Sequence, residues 1–103
     1  MKSEVHVMKS LVEYQEGTIV SKTIISNGSG TVTIFAFDKD QALSEHTAPF
    51  DALVYVIDGE VEITIAEDLY TLKKGETIIM PADIPHALKA TKQFKMMLVM
   101  IKE

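Results

Sequence analysis

ALVYVIDGEVEITIA, running from Ala52 to Ala66, decides the fold. Ala52–Ile57 is an apolar run of strand length, and Glu60–Ala66 alternates polar with apolar residues, so that one face is wet and the other packs. Between them stands Asp58-Gly59. An Asp-Gly pair flanked by apolar runs is a strong hairpin signal, because a type I′ turn needs positive φ at both central residues. A hairpin is therefore expected here. Upstream, Thr18–Ser26 (TIVSKTIIS) is rich in β-branched residues and stops at Asn27-Gly28-Ser29-Gly30. Thr31–Phe37 (TVTIFAF) follows and ends at Asp38-Lys39-Asp40, and Ala42–His46 comes next. Downstream lie Leu69–Leu72, Glu76–Met80, Pro85–Ala90 and Lys95–Lys102, broken at Lys73-Lys74-Gly75 and Pro81-Ala82-Asp83. About nine short runs at this spacing predict an all-β sandwich or barrel. The single helical candidate is a turn or two at Ser10–Tyr14.

Composition narrows the function classes. The chain has 103 residues, 47% of them hydrophobic, which suits one domain over residues 1–103. Ten basic against fifteen acidic side chains give a net charge of −5, with no Lys/Arg cluster. Nucleic acid is thus not an expected partner, since phosphate contacts need a concentrated positive face. The absence of cysteine excludes a disulfide framework, a thiolate zinc site and a Cys nucleophile. Met1–Tyr14 carries Lys2, Glu4, Lys9 and Glu13 and so lacks a signal-peptide core, and no apolar run is long enough to span a bilayer. A cytoplasmic protein with no membrane contact is the expectation.

His46–Gly59 and Gly75–Ala90 resemble the two motifs of the cupin superfamily. In the first, Gly-x5-His-x-His with a later Glu and Gly, His46 and Gly59 match, while Asp40, Ala48 and Ala52 stand at the Gly, second His and Glu positions. In the second, Gly-x5-Pro-x-Gly-x2-His-x3-Asn, Gly75, Pro81 and His86 match, and Asp83 and Ala90 replace the Gly and Asn. The resemblance implies a double-stranded β-helix, the jelly-roll barrel of RmlC-like cupins, closed around an interior pocket. It also implies a divalent ion (Fe, Mn, Ni, Cu or Zn) on three imidazoles and a carboxylate, of which this chain keeps His46 and His86. His86 is expected on a strand opposite His46. Continued alternation from His46 would bring Ala48, Phe50, Ala52, Val54 and Val56 to the same face.

Two functions follow from these residues. In the first, the pocket binds a small organic molecule, with His46 and His86 as polar anchors and Phe50 and Met80 beside them. In the alternative, the chain is a metal-dependent enzyme of dioxygenase, isomerase or decarboxylase type, its ion held by His46 and His86. Asp51, Gln41 or Asp83 could then replace the missing ligands after local rearrangement. Met80, Met96, Met97 and Met100 offer thioethers for Cu(I). Adjacent Met96 and Met97 must point to opposite faces of a strand, however, so core filling is their expected role. Glu60 and Glu62 belong to a solvated strand face, and His6 to an edge strand that pairs across a subunit interface. The final run is apolar on both faces, and a homodimer is expected to cover the outer one.

Overall fold

The computed structural model describes residues 1–102. The expected runs form β1 (Ile19–Asn27), β2 (Gly30–Phe37), β3 (Ala42–His46), β4 (Ala52–Asp58), β5 (Glu60–Ile65), β6 (Asp68–Lys73), β7 (Thr77–Met80), β8 (His86–Ala90) and β9 (Phe94–Ile101). They make two antiparallel sheets, ordered β1-β2-β9-β4-β7 and β3-β8-β5-β6. Only β1–β2 and β5–β6 are hairpins within a sheet, and the other six connections cross from one sheet to the other. Repeated crossing is what winds the chain into a jelly roll.

Asp58-Gly59 is one of those crossings, not the hairpin its sequence suggests. Gly59 has φ +77° and Asp58 is not among the residues with positive φ, so the turn is not type I′. A Cβ on Gly59 would lie 1.9 Å from the carbonyl oxygen of Gln93. The corner thus needs glycine for backbone angle and for close approach together. The dipeptide reports local angles; it carries no information about which sheet each flanking strand joins.

Between the sheets lie Phe37, Val54, Val56, Val61, Ile63, Phe94 and Met96, each nearly or fully inaccessible. The Phe37 and Phe94 rings sit 4.5 Å apart, centroid to centroid. A second cluster, Val12, Ile34, Ala36 and Ile57, lies on the outer face of the five-stranded sheet. Residues of the N-terminal segment cover it. Tyr14 Oη donates to Asp58 Oδ2 at 2.7 Å, and the buried Lys95 donates to the Lys9 carbonyl and lies over the Tyr14 ring. These contacts hold the segment irregular apart from a 3-10 turn at Met8–Ser10, so no helical turn forms at Ser10–Tyr14. His6 is likewise exposed and outside any strand.

Elsewhere on this outer face the side chains are half-buried or exposed. Ile25, Val32, Val99, Leu53 and Ile79 fall in register as one aliphatic row across all five strands. The end members, Ile25 and Ile79, are 56% and 57% exposed.

Candidate functional site

β3 and β8 are neighbours in the four-stranded sheet, and their register sets the site. Leu43 pairs with Leu88 and His46 with His86, so three steps along β3 match two along β8. The extra residue is a bulge at Ser44-Glu45. Alternation alone would turn His46 away from the face that Leu43 shares with the core; the bulge turns it back inward. His46 and His86 are therefore side by side on adjacent strands, not on opposite strands of the barrel.

Backbone carbonyls fix both rings. Nδ1 of His46 lies 2.8 Å from the Ser44 carbonyl oxygen, and Nδ1 of His86 lies 3.2 Å from that of Ile84. A carbonyl can only accept, so each Nδ1 carries the proton and donates. In the neutral rings this leaves a bare lone pair on each Nε2. The two Nε2 atoms face each other at 3.1 Å, with the rings edge-on at 69°. That contact becomes a hydrogen bond only when one ring is cationic. At His86 burial works against the cation. His86 is 4% exposed, and desolvation first, then the neighbouring His46, holds its pKa below the usual 6.5, while the Ile84 hydrogen bond works the other way. Two neutral acceptors thus point at one spot.

They open on a cavity of about 50 Å³ inside the barrel. Leu43, Leu88 and Leu98 line it, together with the short side chains of Ala48 and Ala52. Met80, Met96 and Met100 complete the wall. Ala52 pairs with Met80 on one side and with Met100 on the other. Met97, next along β9, packs instead with the outer cluster. His46 is exposed, which leaves the site a way in.

Met80 therefore lines the cavity with the two histidines, and Phe50 does not. Phe50 lines an outer cleft of about 630 Å³ with Pro49, Asp51, Ala82 and Asp83. Residues 47–51 leave strand geometry after β3, so alternation counted from His46 does not extend through them. Asp51 is committed at the rim, where its Oδ1 accepts from the Ala82 amide at 2.8 Å. Asp83 also lines the outer cleft, and Gln41 is not part of the cavity wall. None of the three replaces a missing ligand. Among the described residues, no group of three or more His, Cys, Asp or Glu side chains could hold a metal ion. The larger open grooves, including one of about 670 Å³ beside Met1 and Ile24–Asn27, lie on the outside. Sequence reading missed the bulge and the part played by Met96 and Met100 in the cavity wall. Alternation along the final run already put both methionines on one face with Leu98.

A family model described as the cupin domain matches residues 33–102. A conserved protein of unknown function from Streptococcus pyogenes is 36% identical, with a TM-score of 0.95 over 100% of this chain and 90% of its own. A cupin 2 conserved barrel domain protein from Leptotrichia buccalis is 44% identical, with a TM-score of 0.88, over 91% of this chain and 46% of its own length. A cupin superfamily protein from Desulfitobacterium hafniense shares the fold at 22% identity, with a TM-score of 0.94 over 100% of this chain and 94% of its own. No curated protein matches the chain.

Proposed function

The chain belongs to the cupin family, and from that premise we propose that its barrel is a binding pocket for a small molecule anchored on His46 and His86. The observation that carries this reading is the pair of Nε2 atoms, 3.1 Å apart and turned into an otherwise apolar cavity. Few converging polar groups on apolar walls are the usual design of a small-molecule site. Two lone pairs ask for a donor, so the ligand presents an N–H or O–H head such as an amine or a hydroxyl. The cavity of about 50 Å³ is far smaller than the roughly 300–1,000 Å³ usual for a pocket that encloses a small molecule. It therefore takes only the head of an organic ligand, and the remainder leaves past the exposed His46.

The enzyme reading does not fit the residues present. A divalent ion held as in the family motif needs four donors, and Ala48 and Ala52 supply none while Asp51 and Asp83 face elsewhere. We assign the chain a sensor or accessory role rather than dioxygenase, isomerase or decarboxylase chemistry. A cytoplasmic setting and a homodimer, its interface the aliphatic row on the five-stranded sheet, belong to the same proposal. No helix among the described residues is long and apolar enough to cross a membrane. Imidazole-ring NMR under titration with small primary amines and alcohols tests the pocket. Shifts at both rings, with the His86 shift lost in His46→Ala, support it; a ligand that binds and leaves both rings unmoved refutes it.

A further inference from the structure

We propose that the ligand of this pocket is an organic cation with a primary ammonium head, drawn in by the carboxylates around the mouth of the barrel. The inference rests on the pocket reading above and chooses between the two heads, amine and hydroxyl, that it allows.

The two lone pairs decide the head. With both Nδ1 protons given to carbonyls, Nε2 of His46 and Nε2 of His86 each need a donor. A hydroxyl has one proton to give, so it satisfies one ring and turns its own lone pairs toward the other. A primary ammonium brings three N–H donors and no lone pair. Its hydrogen bonds, coming from a charged donor, are also roughly twice as strong as neutral ones. Two such bonds of about 2.9 Å from a tetrahedral nitrogen need acceptors about 4.7 Å apart, so the rings part from their present 3.1 Å. His86 is buried at 4% exposure, and the exposed His46 is the ring with room to move.

The mouth supplies the charge. The loops after β3, β5 and β7 meet there. The Asp83 amide donates to the Ala48 carbonyl at 2.8 Å, the Ala66 amide to that of Pro85 at 2.8 Å, and the Ala82 amide to Asp51 Oδ1. Ala48 belongs to the cavity wall, and Glu45 immediately precedes His46. These loops and the end of β3 therefore carry Glu45, Asp51, Glu67 and Asp83 around the entrance, all four exposed, with Lys102 beside Asp51 and Asp83 in the outer cleft. Lys39, Lys73, Lys74 and Lys92 lie in the loops at the other end of the barrel, where Gln93 donates to Asp38 and the Asp40 amide to the Ala90 carbonyl. The rim carboxylates stand outside the cavity and do not touch the head. They act through their field, which raises the local concentration of cations at a low-dielectric entrance. A buried ammonium needs hydrogen-bond partners and opposite charge. The imidazoles provide the first and the rim the second.

Titration of the full chain near pH 8 with n-butylammonium, n-butanol and n-butyltrimethylammonium, read by imidazole-ring NMR, tests the proposal. n-Butylammonium should shift both rings, bind about tenfold more tightly than n-butanol, and weaken as salt rises from about 20 to about 200 mM. n-Butyltrimethylammonium, which has the charge without an N–H, should leave both rings unmoved. In Glu45→Gln/Asp83→Asn the n-butylammonium affinity should fall about threefold or more while that of n-butanol holds. Asp83 has φ +62°, a left-handed angle that Asn tolerates. Asp40→Asn, at φ +71° and at the other end of the barrel, is the matched control and should change neither affinity. The salt response of the native protein decides the matter even where the double variant folds poorly. Salt-independent n-butylammonium binding, or equal shifts from n-butyltrimethylammonium, overturns the proposal. If n-butanol shifts both rings and n-butylammonium binds no more tightly, the ammonium head falls and the pocket stands; if neither moves either ring, both readings fall.

Discussion

His46→Ala separates a ligand-binding pair from a scaffold pair, and slightly alkaline pH is where the two differ most. Were the Nε2–Nε2 contact an ordinary hydrogen bond supporting the barrel, removing His46 would strand Nε2 of the buried His86 and destabilise the protein by roughly 1–3 kcal/mol. With both Nδ1 protons given to carbonyls, no proton stands between the neutral rings, and no hydrogen bond is there to lose. What His46 gives up is its exposed bond to Ser44, about 0.5–1.5 kcal/mol by the usual scale, offset by the separation of two facing lone pairs. The expected net change near pH 8 is under about 1 kcal/mol. Acid adds a second readout. Because the folded pKa of His86 is depressed, the unfolded chain binds the proton first. Its contribution is full above the unfolded value near 6.5 and is lost as pH falls below that value. Deleting His46 removes one of the forces that depress the pKa, so this acid loss should be shallower in the variant. Urea unfolding followed by circular dichroism at both ends of that window gives the two numbers. A loss of about 2 kcal/mol or more at the alkaline end would refute the lone-pair assignment and make the histidines scaffold.

Gly59→Ala should cost about 3–5 kcal/mol, combining a left-handed backbone with a 1.9 Å approach to the Gln93 carbonyl oxygen. Gly75→Ala, with φ +88° but no atom within 4 Å of its added Cβ, should cost only about 1–2 kcal/mol, and urea midpoints compare the two. Thr31 Oγ1 is buried without a hydrogen-bond partner, so Thr31→Val should leave stability unchanged or raise it by up to about 1 kcal/mol in the same assay. Light scattering should give twice the mass of one chain. Val99→Lys, in the middle of the aliphatic row, should halve that mass and leave the β-sheet circular dichroism intact.

The strands were legible because their signals are local. β-branched runs such as Thr18–Ser26 and breakers such as Asn27–Gly30 act within a few residues, and the observed bounds differ by a residue or two. Sheet membership was not legible, because it depends on partners far along the chain; Asp58-Gly59 reads as a hairpin and is a corner. His46 and His86 were found through motif spacing, yet their relation was not. It depends on the bulge, whose only trace in the sequence is two successive polar residues, Ser44 and Glu45, between two inward positions. Phe50 was misplaced for the complementary reason. Counting by twos holds only while the chain stays extended, and it bends at Pro49-Phe50.

The position of β9 has a consequence for biosynthesis. It is the last strand in sequence and a middle strand in space, pairing with β2 on one side and β4 on the other. During vectorial synthesis the β1–β2 hairpin can close early, but β2 and β4 each present a bare apolar edge until Phe94–Ile101 has left the ribosome. Unpaired edges of that kind recruit other strands. A nascent chain stalled before Phe94 should therefore be a substrate for chaperones, and one cut there should aggregate instead of folding into a smaller barrel.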